Sequence, residues 1–175
     1  MPISLYDAII PSQLQIIGAV TKLLDKAEAF CAETGRSEAD IINARLRDDM
    51  LPFGYQVKCV AEHSIGAIEG VRSGTYSPDT GPFPEDFAGL RAKLAAAAEA
   101  LNAIDPAEIE GFIGQDALFS FGEMQVPLTA EKFLLSFAQP NFYFHATTAY
   151  DILRAEGVSI GKTDFLGQLQ MKMGG

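Results

Sequence analysis

The chain is poor in several residues that mark particular classes of protein. Its 175 residues include no tryptophan, two cysteines and two histidines. Two cysteines are too few for a disulfide framework, so Cys31 and Cys59 fit reduced thiols in a cytoplasmic protein. No apolar run reaches the roughly 20 residues that cross a bilayer, and the N-terminus lacks the basic start and apolar core of a secretion signal. We therefore expect a cytoplasmic protein without a membrane partner.

Positive charge is also scarce. Lysine and arginine total 13 against 23 aspartates and glutamates, which gives a formal net charge of −10. Because nucleic-acid binding depends on basic side chains that contact phosphates, this balance excludes nucleic acid as an expected partner. The chain is instead 48% hydrophobic and 21% charged, as in ordinary globular proteins. Its length predicts a single domain over residues 1–175 with one substantial core.

Apolar residues recur at helical spacing in four long segments. These segments run from Ser4 to Gly35, from Pro52 to Gly74, from Pro84 to Asn102 and from Thr129 to Glu156. Residues 74–84 are rich in glycine, proline and small polar residues, which predicts a loop. Residues 117–126 alternate around a Gly-Glu pair, which predicts a small hairpin. The pattern as a whole predicts an all-α protein, a four-helix bundle with a small β-hairpin inserted before the last helix.

Both histidines lie on predicted helices with polar residues on the same face. Cys59 and His63 are four residues apart on the second helix, and Gln56 precedes Cys59 by about one turn. Asn141 and His145 have the same spacing on the fourth helix. Bundles build metal sites from side chains on facing helices, and imidazole is a common ligand of zinc and nickel. The alternative is that the histidines are hydrogen-bonded core residues and that Cys59 is a small buried hydrophobe.

Several motifs carry a resemblance to a known family. They are Asp49-Met-Leu-Pro-Phe53, Pro140-Asn-Phe-Tyr-Phe-His145, Thr148-Ala-Tyr-Asp-Ile-Leu-Arg154, Gly157 and Gly161-Lys-Thr-Asp-Phe-Leu166. Over nearly its whole length the chain resembles a bacterial family of uncharacterised proteins, which is itself similar to the DinB/YfiT-like superfamily of proposed metalloenzymes. The resemblance implies a helical bundle of the DinB/YfiT-like type.

The resemblance also implies a ligand set. The superfamily's usual metal site has one histidine on the second helix and an H-x-x-x-H pair on the last helix. His63 matches the first position and His145 the second histidine of the pair, while Asn141 stands where the pair's first histidine is expected. An amide oxygen is a poorer ligand than imidazole for borderline-soft ions. The implied site is therefore a degenerate one, in which His63, His145 and Asn141 hold zinc or nickel, with Cys59 as an optional fourth ligand.

Two functions remain open at this point. One is a divalent-metal-dependent hydrolase or thiol transferase that acts on an unidentified small molecule, with the transferase suggested by superfamily analogy. The other is a non-catalytic, metal-free module that binds a small ligand or forms a dimer. We also expect a homodimer, because symmetric dimers are the commonest oligomers. Imidazoles of His63 and His145 within about 5 Å of each other, with Asn141 between them, would favour a shared ion.

Overall fold

The computed structural model describes residues 2–171, and this part of the chain is mostly helical with a small β-sheet. The helices are α1 (Leu5–Thr34), α2 (Glu38–Ile42), α3 (Phe53–Ala61), α4 (Ala67–Ser73), α5 (Phe87–Asn102), α6 (Pro106–Gly111), α7 (Ala130–Lys132), α8 (Gln139–Ala155) and α9 (Lys162–Leu166). The strands are β1 (Thr75–Tyr76), β2 (Asp116–Phe121) and β3 (Met124–Thr129). Two π-helical segments, Glu62–Gly66 and Phe133–Ala138, join α3 to α4 and α7 to α8.

Four helical rods carry most of the core. The first rod is α1, the second is residues 53–73, the third is α5 and the fourth is residues 130–155. Helix α3 packs against α8 and α5, and α1 packs against the same two helices, so each rod contacts at least two others. Buried apolar side chains from all four rods join one hydrophobic cluster. The predicted predominance of helix is confirmed. None of the helices in residues 2–171 is long and apolar enough to span a membrane.

The ends of α1 follow local side-chain chemistry. The Ser4 hydroxyl accepts a hydrogen bond from the Asp7 backbone N–H at 3.0 Å, which satisfies a donor that the first turn leaves free. At the other end Gly35 adopts a left-handed conformation with φ 73°, which a residue without a Cβ reaches at little cost. Both ends agree with the sequence prediction.

The sheet contains the predicted hairpin and one additional strand. Strands β2 and β3 pair antiparallel from Asp116↔Thr129 to Phe121↔Met124. Strand β1 pairs parallel with β2, and this corrects the prediction that residues 74–84 form only a loop. A strand of two residues is too short to show a period, and its pairing depends on a distant segment. The pairing holds Tyr76 against the second rod, where a Cβ at Gly70 would lie 2.7 Å from the Tyr76 Cβ.

The chain after β1 folds back onto α3 and is held there by a buried lysine. Lys58 is 1% exposed. Its ammonium donates to the carbonyl oxygens of Asp79 and Gly81 at 2.8 Å each and pairs with the Asp79 carboxylate at 3.0 Å. Phe83 covers Gly54 one turn earlier on α3. A buried ammonium is tolerated here because three oxygens replace its hydration shell.

Candidate metal centre

The second and fourth rods bring the two histidines face to face. His63 lies in the π-helical segment Glu62–Gly66 and His145 lies in α8. Their ring centroids are 5.2 Å apart and the ring planes differ by 8°. A second π-helical segment, Phe133–Ala138, ends two residues before Pro140, which has no N–H to donate to the preceding turn. His63 thus lies within a π-helical segment, whereas His145 lies in regular helix after the other one. Such segments are common at functional sites.

Cys59 completes a group of three donor side chains. One donor atom from each of Cys59, His63 and His145 lies within 4.8 Å of the other two. Cys59 and His63 are 5% and 6% exposed, whereas His145 is half-buried and forms the more accessible side of the group. Two imidazole nitrogens and one sulfur are donors that suit borderline-soft ions such as zinc. The chemistry of the donor set therefore fits a metal ion.

The Nδ1 atom of each histidine already has a hydrogen-bond partner. His145 Nδ1 lies 2.7 Å from Gln56 Oε1, and His63 Nδ1 lies 3.3 Å from the Tyr76 hydroxyl. Histidines that bind metals commonly use the second ring nitrogen in this way, because the bond fixes the orientation of the ring. In both residues Nε2 is the nitrogen that remains for another partner.

The protonation states of the three donors follow from their burial. Burial lowers the pKa of His145 to about 4, and burial together with the neighbouring His145 lowers the pKa of His63 to about 4. Both imidazoles are therefore neutral at pH 7 and keep a lone pair. Burial raises the pKa of the Cys59 thiol to about 11, against the opposing effects of Tyr55 and Lys58. Cys59 is thus a thiol until an ion displaces its proton.

Asn141 is engaged with its own helical rod. It is half-buried, and its side-chain nitrogen donates to the carbonyl oxygen of Phe137 at 2.8 Å. The structure thus brings Cys59, His63 and His145 together, while the Asn141 amide nitrogen is hydrogen-bonded to the backbone. A role for Asn141 as a metal ligand stays a prediction. Cys59, expected only as an optional fourth ligand, is one of the three grouped donors.

Two tyrosines near the group were not found from the sequence. Tyr76 lies in the segment that was predicted to be a loop, and no spacing links it to His63, so the sequence carries no signal for this contact. Tyr55 precedes Cys59 by four residues, and this helical spacing is the signal that could have found it. Burial, followed by the nearby Cys59, raises the pKa of Tyr55 to about 12. Burial likewise raises the pKa of Tyr76.

Comparisons with known proteins place this geometry in context. The family described as "Domain of unknown function (DUF1993)" matches residues 5–166. The crystal structure of a DinB family member protein from Shewanella denitrificans is similar to the chain, with a TM-score of 0.80 and 27% sequence identity. The alignment covers 97% of this chain and 96% of that chain. A comparison with curated proteins gives no significant match.

Proposed function

The chain belongs to the DUF1993 family, and we propose that it is a metal-dependent enzyme of the DinB-like type. In this proposal Cys59, His63 and His145 hold one divalent ion, with zinc preferred over nickel because a thiolate and two imidazoles are the usual ligands of zinc. The observation that carries the proposal is the convergence of these three donors within 4.8 Å. The similarity to a DinB family member, at 27% identity over nearly the full length, supports it.

Each residue has a separate task. Both imidazoles are neutral at pH 7, so each has one nitrogen with a lone pair, and Cys59 becomes a thiolate when its proton leaves. Gln56 and Tyr76 hold the rings from the opposite edge. An ion held by these residues would lower the pKa of a water or a thiol, which is the chemistry of hydrolases and thiol transferases. Because His145 is the more exposed member, the small-molecule substrate would approach from its side.

Metal analysis of protein purified without a histidine tag tests the proposal. We expect one zinc per chain in the wild type and loss of zinc in Cys59→Ser, His63→Gln and His145→Gln. Cys31→Ser is the matched control, because the Cys31 thiol contacts the Ser37 carbonyl and is not in the donor group. Hydrolysis of an activated ester and transfer of a small thiol to an electrophile then separate the two reaction classes. Protein that is purified without metal and does not bind added zinc or nickel would contradict the proposal.

A non-catalytic, metal-free module is the second candidate. The hydrogen bond from the Asn141 amide to Phe137 favours it, because Asn141 occupies an expected ligand position but its neutral side chain bonds to the backbone. In this case the double substitution His63→Gln/His145→Gln would alter stability or small-ligand binding without abolishing any turnover. Metal-dependent turnover that disappears in the double variant would count against this candidate.

We also propose an architecture and an oligomeric state for the protein. The ring of contacts among the four rods supports a four-helix bundle that forms one domain over residues 1–175. We propose a homodimer, because a two-fold pairing of subunits is the commonest assembly. Light scattering at several protein concentrations measures the mass, and a monomer mass throughout would exclude the dimer.

A further inference from the structure

We infer that Gln56 is a positioning residue, which holds His145 in the tautomer with its proton on Nδ1 and so reserves Nε2 for an ion. Only the part of the inference that concerns an ion rests on the proposed function. The tautomer itself is a property of the metal-free protein, and it can be measured whether or not the proposed function is correct.

The orientation of the Gln56 amide follows from its other partner. Gln56 is 2% exposed, and its Nε2 donates to the carbonyl oxygen of Leu51 at 2.8 Å. A carbonyl oxygen can only accept a hydrogen bond, so the amide nitrogen must face Leu51. The amide oxygen therefore faces His145, and the reversed orientation would leave two oxygens in contact at the Leu51 side. Both polar atoms of this buried side chain are satisfied in the observed orientation.

The orientation of the amide decides the position of the imidazole proton. Gln56 Oε1 lies 2.7 Å from His145 Nδ1 and can only accept, so Nδ1 must donate. A neutral imidazole carries one N–H, and Nε2 is therefore left with the lone pair. His63 differs, because its partner is the Tyr76 hydroxyl, which can donate or accept, at 3.3 Å. An acceptor-only partner thus fixes the tautomer of His145 and not that of His63.

Substitutions of Gln56 can separate a role in positioning His145 from a purely structural role. Gln56 also anchors Leu51 just before α3, so any substitution that removes the amide nitrogen lowers stability. Gln56→Glu loses the bond to Leu51 but keeps an acceptor for Nδ1, whereas Gln56→Leu loses both. Gln15→Leu is the matched control, because the Gln15 amide also donates to a backbone carbonyl, that of Leu166, at 2.8 Å.

Nitrogen-15 spectra of the metal-free protein test the inference directly. The chain has only two histidines, so two imidazole patterns appear and His63→Gln assigns them. We expect His145 to carry its proton on Nδ1 in the wild type and Gln15→Leu, and Nδ1 to stay protonated in Gln56→Glu. In Gln56→Leu the proton should redistribute to Nε2. Should the leucine variant unfold, Gln56→Met makes the same test with a longer side chain.

Zinc titration adds a second readout. Loss of such an outer partner lowers metal affinity by roughly 10–100-fold, so we expect this fall in Gln56→Leu and a smaller one in Gln56→Glu. An Nε2–H tautomer in the wild type, or an unchanged Nδ1–H in Gln56→Leu, would overturn the inference even if zinc binds. The expected tautomers in a protein that binds no zinc would uphold the positioning by Gln56 and contradict the proposed function.

Discussion

Acidification should destabilise the metal-free protein through its two histidines. Both have a pKa of about 4 in the folded chain, against 6.5 for an exposed histidine. Above pH 6.5 neither the folded nor the unfolded state binds these protons. As the pH falls below 6.5 the unfolded state takes them up first, so the free energy of unfolding decreases until about pH 4. Linkage gives roughly 2 kcal/mol per histidine at pH 5, or about 4 kcal/mol for the pair.

Urea unfolding of chelator-treated protein at pH 7.5 and pH 5.0 measures this loss. The double variant His63→Gln/His145→Gln is the control, since it keeps every carboxylate and therefore reports the part of the pH dependence that does not come from histidine. We expect a fall of about 4 kcal/mol in the wild type that is largely absent in the control. A wild-type free energy that stays constant over this range, or an equal fall in the double variant, would refute the reasoning.

The other predictions concern packing and polar contacts of α1 and α3, and urea unfolding at pH 7.5 measures each of them. Lys58→Ala should cost roughly 2 kcal/mol or more, because it leaves the Asp79 and Gly81 carbonyls without their donor. Lys26→Ala, which removes an exposed pair with Asp164, should cost less than about 1 kcal/mol, and equal costs would contradict the role of burial. Gly54→Ala should cost about 1–3 kcal/mol, because its Cβ would lie 2.6 Å from the Phe83 ring and 2.9 Å from Ile42. Gly18→Ala in α1 meets nothing within 4 Å and should stabilise by roughly 0.5–1 kcal/mol, so a loss there would contradict this account.

Local chemistry explains the part of the fold that could be predicted from sequence. Ser4 and Gly35 set the ends of α1 through a side-chain cap and a left-handed turn, and both signals lie within a few residues of the ends. The spacing of Cys59 and His63 likewise predicts a shared face, because four residues make about one helical turn. These interactions depend on neighbours in sequence, so the pattern of residues is enough to find them.

Tertiary contacts explain the features of the fold and the site that could not be predicted from the sequence. The partner of His145 is Gln56, 89 positions earlier, and no periodic pattern selects one polar side chain on a facing helix over another. Tyr76 reaches His63 only because a two-residue strand pairs with β2. Helical periodicity also assumes 3.6 residues per turn, which the π-helical segments do not follow. For Asn141, spacing predicted the shared face but not the bond of its amide to Phe137.

Cobalt binding tests the central claim most directly, because a thiolate bound to Co²⁺ gives an intense near-ultraviolet absorption that histidine ligands alone do not give. Titration of metal-free protein should produce this band, with saturation at one equivalent per chain, in the wild type and in Cys31→Ser. The band should be absent in Cys59→Ser, and binding should be weakened in His63→Gln and in His145→Gln. Wild-type protein that develops no band, or Cys59→Ser protein that retains it, would contradict an ion held by Cys59, His63 and His145.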